Sequence, residues 1–490
     1  MTGPKPRESA EQVHQLVSKR VVVGDGLGTP LKIVPARIEV TGSRISGVFE
    51  DAASELAAHP QAGGPRWHDF GDKLVSPAWV NGHVHLAMAA FRGIGGVEAT
   101  RGNVVEDLYY RLERALTPAD IRAFTRLGAY ESLLAGVGFV WEHYYGGEAL
   151  AAGLRDTGLA GVVAPTLQDL SGPGVGQFEQ GLRDTEAIAG SADLRGRGIY
   201  AALGPHATDT VSAAAWQQIR DDACKMQLPI HAHVAQSYEE FARVWEREQA
   251  TPVGVLERAG VLDAGVRMLL VHGLYLASGD LRRLDASRHV LGFCPFSQLQ
   301  FGFCADASGW TEAGLPWCVA TDCAASNDSM NVQKELRLVA GDRGLSTRHS
   351  DAFAAFLTSG TPGDARAVQA HRAAAFVRHQ RLAQPDFLLS RVWGVPGAMH
   401  PQVKVGVLEV DALANILVWD PKHPSMWPLH DPLASLAMGD TSGAIDSMMV
   451  AGRWIGGVGQ HRELVRSAAY REARSEADRR LVELMGRLLG

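Results

Sequence analysis

Histidines in this chain fall at the ends of apolar runs. His83 and His85 stand in Asn81-Gly82-His83-Val84-His85, directly after an apolar stretch. Residues two apart in an extended segment point to the same side, so both imidazoles can reach one ion. One His-x-His among 18 histidines decides little; the recurrence carries the weight. Ile230-His231-Ala232-His233 ends a second apolar run, Leu269-Leu270-Val271-His272 a third, and Cys318-Val319-Ala320-Thr321-Asp322 a fourth. An Asp buried without a partner is costly, whereas one beside a cation is stabilised. His83, His85, His233 and Asp322 therefore read as ligands of one divalent metal ion, Zn2+ first and Fe2+ as the alternative. Such an ion lowers the pKa of its bound water toward ~7 and supplies hydroxide as a nucleophile. His272 is left to hold that water or move its proton.

Four strand ends can meet only if the strands share a mouth. Apolar runs of strand length occupy 78–81, 137–142, 161–165, 198–204, 229–233, 268–272, 290–294 and 317–321. Amphipathic segments such as 117–134 and 238–260 lie between them. Eight such strands alternating with helices predict an α/β chain with a parallel (β/α)8 TIM-like barrel over 77–400, whose C-terminal strand ends gather the catalytic residues. The pattern alone admits other α/β layouts. Short β-runs with Gly and Asp turn signals fill 1–76. β-Character returns at 403–410, 414–419 and 447–455. Residues 401–460 are accordingly expected to rejoin the first segment as a small discontinuous β-sandwich domain, and 461–490 to form a packed C-terminal helix.

Bulk properties exclude several classes. Lys plus Arg total 47 against 54 acids, a formal charge of −7 with no basic stripe, so neither nucleic acid nor an anionic membrane is expected as a partner. The five cysteines are odd in number and irregular in spacing, which favours a reducing compartment. The first residues are polar and lack an apolar signal region, and no run reaches the ~18–20 apolar residues a span requires. The expectation is a soluble, cytoplasmic protein. Cys323 reads as packing beside Asp322, and one of Trp141, His143, Tyr144 and Tyr145 is a candidate for the pocket wall.

The motifs resemble the amidohydrolase superfamily, in its mononuclear branch of chlorotriazine hydrolases and S-adenosylhomocysteine- and guanine-type deaminases. VSPAWVNGHVHLAMAAFRG is similar to the opening strand and paired ligands at His83 and His85, with Arg92-Gly93 after them. LGPHATDTVS resembles the segment whose histidine contacts substrate, here His206; HAHVAQSYEE resembles the third-ligand segment at His233. LVHGLYL places the water-orienting histidine at His272. CPFSQLQFG resembles a Cys-Pro-x-Ser-Asn segment, with Ser297 at the substrate, and ATDCAASNDSMNVQKELR the last-ligand segment at Asp322. The resemblance implies hydroxide attack on a cyclic amidine-like or heteroaromatic small molecule, with Asp322 accepting the water's proton and His272 relaying it. It also fits a homodimer. At 142–144 the chain reads Glu-His-Tyr, with no lysine to be carboxylated between two ions, which favours one metal.

Two departures matter. The branch has His-x-x-Glu where this chain has His233-Val-Ala-Gln236, and a Gln amide donates a hydrogen bond but cannot deliver a proton. Glu142, Glu239 and Glu240 are candidates for a replacement acid. Gln298 stands where Asn is usual. The leading expectation is a metal-dependent hydrolase of non-peptide C–N bonds, a deaminase or aminohydrolase, with Gln236 facing the reaction. The alternatives are a hydrolytic dehalogenase of a chlorinated heterocycle such as a triazine, whose leaving halide needs no proton, and a ligand-binding pseudoenzyme.

Overall fold

The structure, a computed structural model, describes residues 13–50, 66–94 and 103–489. The sequence leaves the choice of substrate to the loop 91–115, and part of that loop lies outside the described residues.

Five strands open the chain: β1 (Val13–Val23), β2 (Lys32–Thr41), β3 (Arg44–Glu50), β4 (Arg66–Asp69) and β5 (Leu74–Pro77). The barrel follows. Its strands are β6 (Trp79–His85), β7 (Val137–Tyr144), β8 (Ala160–Leu167), the pair β9 (Ile199–Ala201) and β10 (Gly204–Pro205), β11 (Ile230–Val234), β12 (Met268–His272), β13 (His289–Phe293), and the pair β14 (Trp317–Val319) and β15 (Asp322–Cys323). The last three, β16 (Ile416–Trp419), β17 (Ile445–Val450) and β18 (Arg453–Ile455), rejoin the first five.

All barrel pairings are parallel. β6 to β8 pair in sequence order, β11 to β14 do the same, and a parallel bridge between Leu203 and Ile230 joins the two sets. Asp322 pairs with Val84, closing the ring between its eighth and first strands. Every residue of β7 and β8 is buried, because helices cover one face and the barrel interior the other. The closure is made by the NGH segment itself. Asn81 accepts from the Thr321 backbone N–H at 3.0 Å and donates to the Thr321 hydroxyl at 2.7 Å. Gly82 is required here, since a Cβ would lie 2.5 Å from Cys318 Sγ.

The flanking strands form one mixed eight-stranded sheet ordered β18-β17-β16-β5-β1-β2-β3, with β4 also on β1. Hydrogen bonding is continuous, and the sheet folds over its own core, which joins Leu16, Ile38 and Ile45 to Val418 and Met449. One local expectation is corrected. Residues 403–410 form no strand; Val407 and Leu408 simply bury their side chains in that core. The 238–260 pattern is two helices, Tyr238–Glu248 and Pro252–Arg258, because Gln249 caps the first in a left-handed conformation (φ 49°). The helix Ala468–Leu489 packs on Pro118–Leu134, burying Ala473, Ala477 and Leu484. Among the described residues no helix is long and apolar enough to cross a membrane.

Candidate active site

At the C-terminal strand ends the expected donors converge. His83 Nε2 lies 3.1 Å from His85 Nε2, and His85 Nε2 lies 3.4 Å from His233 Nε2. Asp322 Oδ1 is 3.6 Å from His83 Nε2 and 3.4 Å from His85 Nε2. A tetrahedral ion with bonds of ~2.0–2.1 Å places its donors about 3.3 Å apart, and these four separations lie near that edge length.

The opposite ring nitrogens settle which atoms face the centre. His233 Nδ1 donates to the His206 carbonyl at 2.8 Å, and His85 Nδ1 to the His143 carbonyl. A carbonyl only accepts, so both rings carry their proton on Nδ1 and turn an Nε2 lone pair inward. His83 Nδ1 meets His231 Nε2 at 2.8 Å, so His231, two residues before a ligand candidate, serves another ligand candidate instead. Burial lowers His83 to about 3 and His233 well below the ordinary imidazole value, keeping both neutral as ligands must be. Burial also pulls on His85, but Asp322 and Glu142 hold it above that value. Three lone pairs and a carboxylate facing one another repel unless a cation lies between them. The residues present fit a divalent metal ion.

The eighth strand aims Asp322 with help from its loop. Asp322 is left-handed (φ 62°), as are His272 (φ 81°) and Ala235 (φ 53°) near the other strand ends. Asn327 donates to the Thr321 carbonyl at 2.8 Å and to buried Glu335 at 3.0 Å, fixing the turn after Asp322. Arg92 pairs with Glu131 of the helix Pro118–Leu134, and the Gly93 N–H donates to Asp328 at 3.0 Å, which ties the first loop to the eighth.

A cavity of about 310 Å³ opens over the donors. His206, His272 and Gln236 line it as expected. His272 stacks on His233 at 5.4 Å and 11°. His206 Nδ1 lies 3.0 Å from the Thr210 hydroxyl; that hydroxyl donates to the Ala207 carbonyl at 3.3 Å, so it accepts from Nδ1–H and leaves Nε2 as an acceptor toward the cavity. The Gln236 amide makes no side-chain hydrogen bond among the described residues, while its backbone N–H donates to Glu240 at 2.7 Å. Ser297 is not among the residues that line the cavity: fully buried, it donates to Asp322 Oδ2 at 2.7 Å and positions the carboxylate. Gln298 is likewise pinned, donating to the His272 carbonyl at 3.1 Å and accepting from Ala305 N–H at 3.0 Å.

The replacement acids fare differently. Glu142 accepts from Leu86 N–H at 2.9 Å beneath the cavity, Glu240 holds Thr208 and Gln236, and Glu239 is exposed at the mouth. Sequence reasoning missed Glu113. It ends the short helix Tyr110–Glu113, lines the cavity, and is pushed up to about 7 by burial, against opposing contributions from His85 and Tyr144. His143, Tyr144 and Tyr145 also line the wall, whereas Trp141 lies beneath it, donating to the Pro396 carbonyl at 3.2 Å. Cys323 lines the cavity with Sγ 3.2 Å from the Ser326 hydroxyl. No lysine lines it.

Known proteins share this architecture. A 5-methylthioadenosine/S-adenosylhomocysteine deaminase of Natronomonas pharaonis is 28% identical over 441 residues, covering 89% of this chain and 92% of that protein. A 5'-deoxyadenosine deaminase of Methanothrix thermoacetophila is 30% identical over 315 residues, 64% of this chain and 71% of that one. A zinc-bound adenosine deaminase structure from Xanthomonas campestris superposes with TM-score 0.71 at 20% identity, covering 95% of this chain and 98% of that one. The zinc complex of atrazine chlorohydrolase from Arthrobacter aurescens TC1 gives 0.72 at 18% identity, covering 94% and 100%. The amidohydrolase family pattern matches residues 74–358, more than half of the chain and every strand end that builds the site, so the chain belongs to the amidohydrolase family.

Proposed function

We propose that the protein is a metal-dependent deaminase, a hydrolase of a non-peptide C–N bond in a small heterocyclic substrate. The observation that carries this reading is the run of contacts of 3.1–3.6 Å that links His233 to His85 and His85 to His83 and Asp322, beneath a cavity lined by His206 and His272. The metal, which we take to be Zn2+, would supply a water of lowered pKa as nucleophile. Asp322, held by Ser297 through its other oxygen, receives the proton of that water. His272 lies beside His233 and orients the water. The Nε2 of His206 accepts a hydrogen bond from a ring N–H or exocyclic amine. Gln236 donates its amide to a ring nitrogen without protonating it, and Glu113 delivers the proton that the leaving amine requires; a carboxyl near 7 is suited to that step.

Relatives named as deaminases of 5-methylthioadenosine, S-adenosylhomocysteine and 5'-deoxyadenosine suggest adenosine-type substrates. The test is metal analysis of the purified protein and ammonia release from those three compounds and guanine. One equivalent of metal with ammonia release supports the reading; a folded protein that binds no metal and releases no ammonia overturns it. Gln236 favours one second reading, displacement of halide from a chlorinated triazine. Chloride release without ammonia from such a substrate would establish it instead. We further take the chain to be a homodimer, which sedimentation would decide.

A further inference from the structure

The opposite end of the barrel carries a cleft of about 420 Å³ that the reaction does not use. Arg267, Arg288 and Trp317 reach it from the N-terminal ends of β12, β13 and β14, and Arg381, Phe387 and Arg391 from the segment that follows the barrel strands. Four guanidiniums and no carboxylate form its walls, in a chain whose formal charge is −7. The cluster is therefore no reflection of overall composition.

Arg391 is 7% exposed. Its Nε donates to the Phe387 carbonyl at 3.3 Å and the Ser390 hydroxyl at 3.2 Å, and its Nη1 to the Trp317 carbonyl at 3.1 Å. All three acceptors are neutral. Its guanidinium carbon lies 4.2 Å from the centre of the Phe387 ring, and that of Arg381 lies 5.0 Å from the same centre. Two cations thus share one aromatic ring. Burial, and after it the charge of Arg381, pull Arg391 down to about 10. Among the described residues no acid pairs with Arg267, Arg381 or Arg391, and only Arg288 has one, Asp285 at 2.6 Å. The Nε of Arg288 is buried without a partner. Unpaired charge on a side chain as buried as Arg391 is unfavourable unless an anion completes it, and planar guanidiniums match oxyanions in geometry.

We propose that this cleft binds an oxyanion, a phosphate monoester or carboxylate, joined to a flat apolar body. Arg391 and Arg381 take the anion between them. Leu315 and Met399, with the Trp317 ring, cover the body. The site is at the base of the barrel, away from the donors at the mouth, so its ligand is not the substrate of the metal centre.

Calorimetric titration of the full-length, metal-loaded protein at low ionic strength tests this, with phenyl phosphate, benzoate and inorganic phosphate as probes. The expected result is saturable binding of one aromatic anion per chain, tighter than inorganic phosphate; which aromatic probe binds assigns the head group. R391Q and R381Q should each weaken it at least tenfold, while R381Q leaves turnover at the mouth unchanged. Arg391 is buried and R391Q could fail to fold, but Arg381 is exposed and its variant keeps the test open. Absence of saturable binding by all three probes, or binding that R381Q leaves unchanged, overturns the proposal.

Discussion

The two ends of the barrel are made by the same strands and gather opposite atoms. At the mouth, imidazole nitrogens and a carboxylate are linked by contacts of 3.1–3.6 Å. At the base, N–H groups of four arginines converge with no carboxylate on the walls. Each end leaves charge or lone pairs uncompensated, the base except for Asp285 on Arg288. They differ in how tightly the groups are fixed. The donor histidines His85 and His233 are each held from behind by a carbonyl and His83 by His231, and Asp322 by Ser297. Residues His272, Asp322 and Ala235 accept left-handed backbone there, at a cost on the order of 1–3 kcal/mol each. Such strain persists where the surroundings over-determine the geometry, which a reaction needs. The base relies on long side chains over aromatic rings, with Arg391 in ordinary helical backbone (φ −73°). That arrangement recognises without having to react.

The sharpest way to break the comparison is to remove a donor from the mouth. H233A should abolish ammonia release and leave the protein without stoichiometric metal. Retained metal and turnover would mean that the four donors are not the centre. Next, E113Q should lower kcat about 100-fold or more while metal content stays at one equivalent, because a positioned general acid contributes on the order of 10²–10⁴. An unchanged kcat would return the proton step to Asp322 and His272. Third, H231L removes the group behind His83 and leaves its Nε2 unconstrained. Loss of such a supporting partner costs about 10–100-fold in metal affinity. Competition with a chelator would read it, and unaltered affinity would show that His231 merely fills space.

The mouth was legible in the sequence because strand geometry is periodic. His83 and His85 two apart, and His233, His272 and Asp322 each at the end of an apolar run, needed only the barrel to bring them together. Ser297 was legible as a neighbour of the site but not in its role, since nothing local says whether a hydroxyl faces a substrate or a carboxylate. Glu113 was hidden for another reason: it lies on a short helix between strands, and only the folded chain brings that helix to the cavity. The strand reading of 403–410 failed because alternation reports burial and not hydrogen bonding; Val407 and Leu408 are buried without pairing. The base was illegible because its arginines come from three separate segments, before β12, before β13 and after the barrel strands, and no spacing joins them.

The smallest effect is expected on the barrel wall, away from both ends. Asp120 is fully buried, where its carboxylate accepts from the Thr117 backbone N–H and hydroxyl at 2.9 and 2.7 Å. Arg487 of the C-terminal helix reaches it at 2.5 Å and Arg480 at 3.3 Å. Burial acts to raise its pKa, but the Thr117 hydrogen bonds and the two arginines outweigh it and hold the carboxyl below the ordinary Asp value. A depressed carboxyl contributes stability that is present above the unfolded value of ~3.9 and is lost as pH falls through the lower folded value. D120N should therefore cost about 1–3 kcal/mol at neutral pH, read by denaturant unfolding, with metal content and turnover unchanged. The gap between the variant and the parent should narrow once pH drops below ~3.9. A gap that stays constant through that range would assign the loss to packing of the Ala468–Leu489 helix rather than to the charge. A fall in metal content would show that the wall and the mouth are coupled after all.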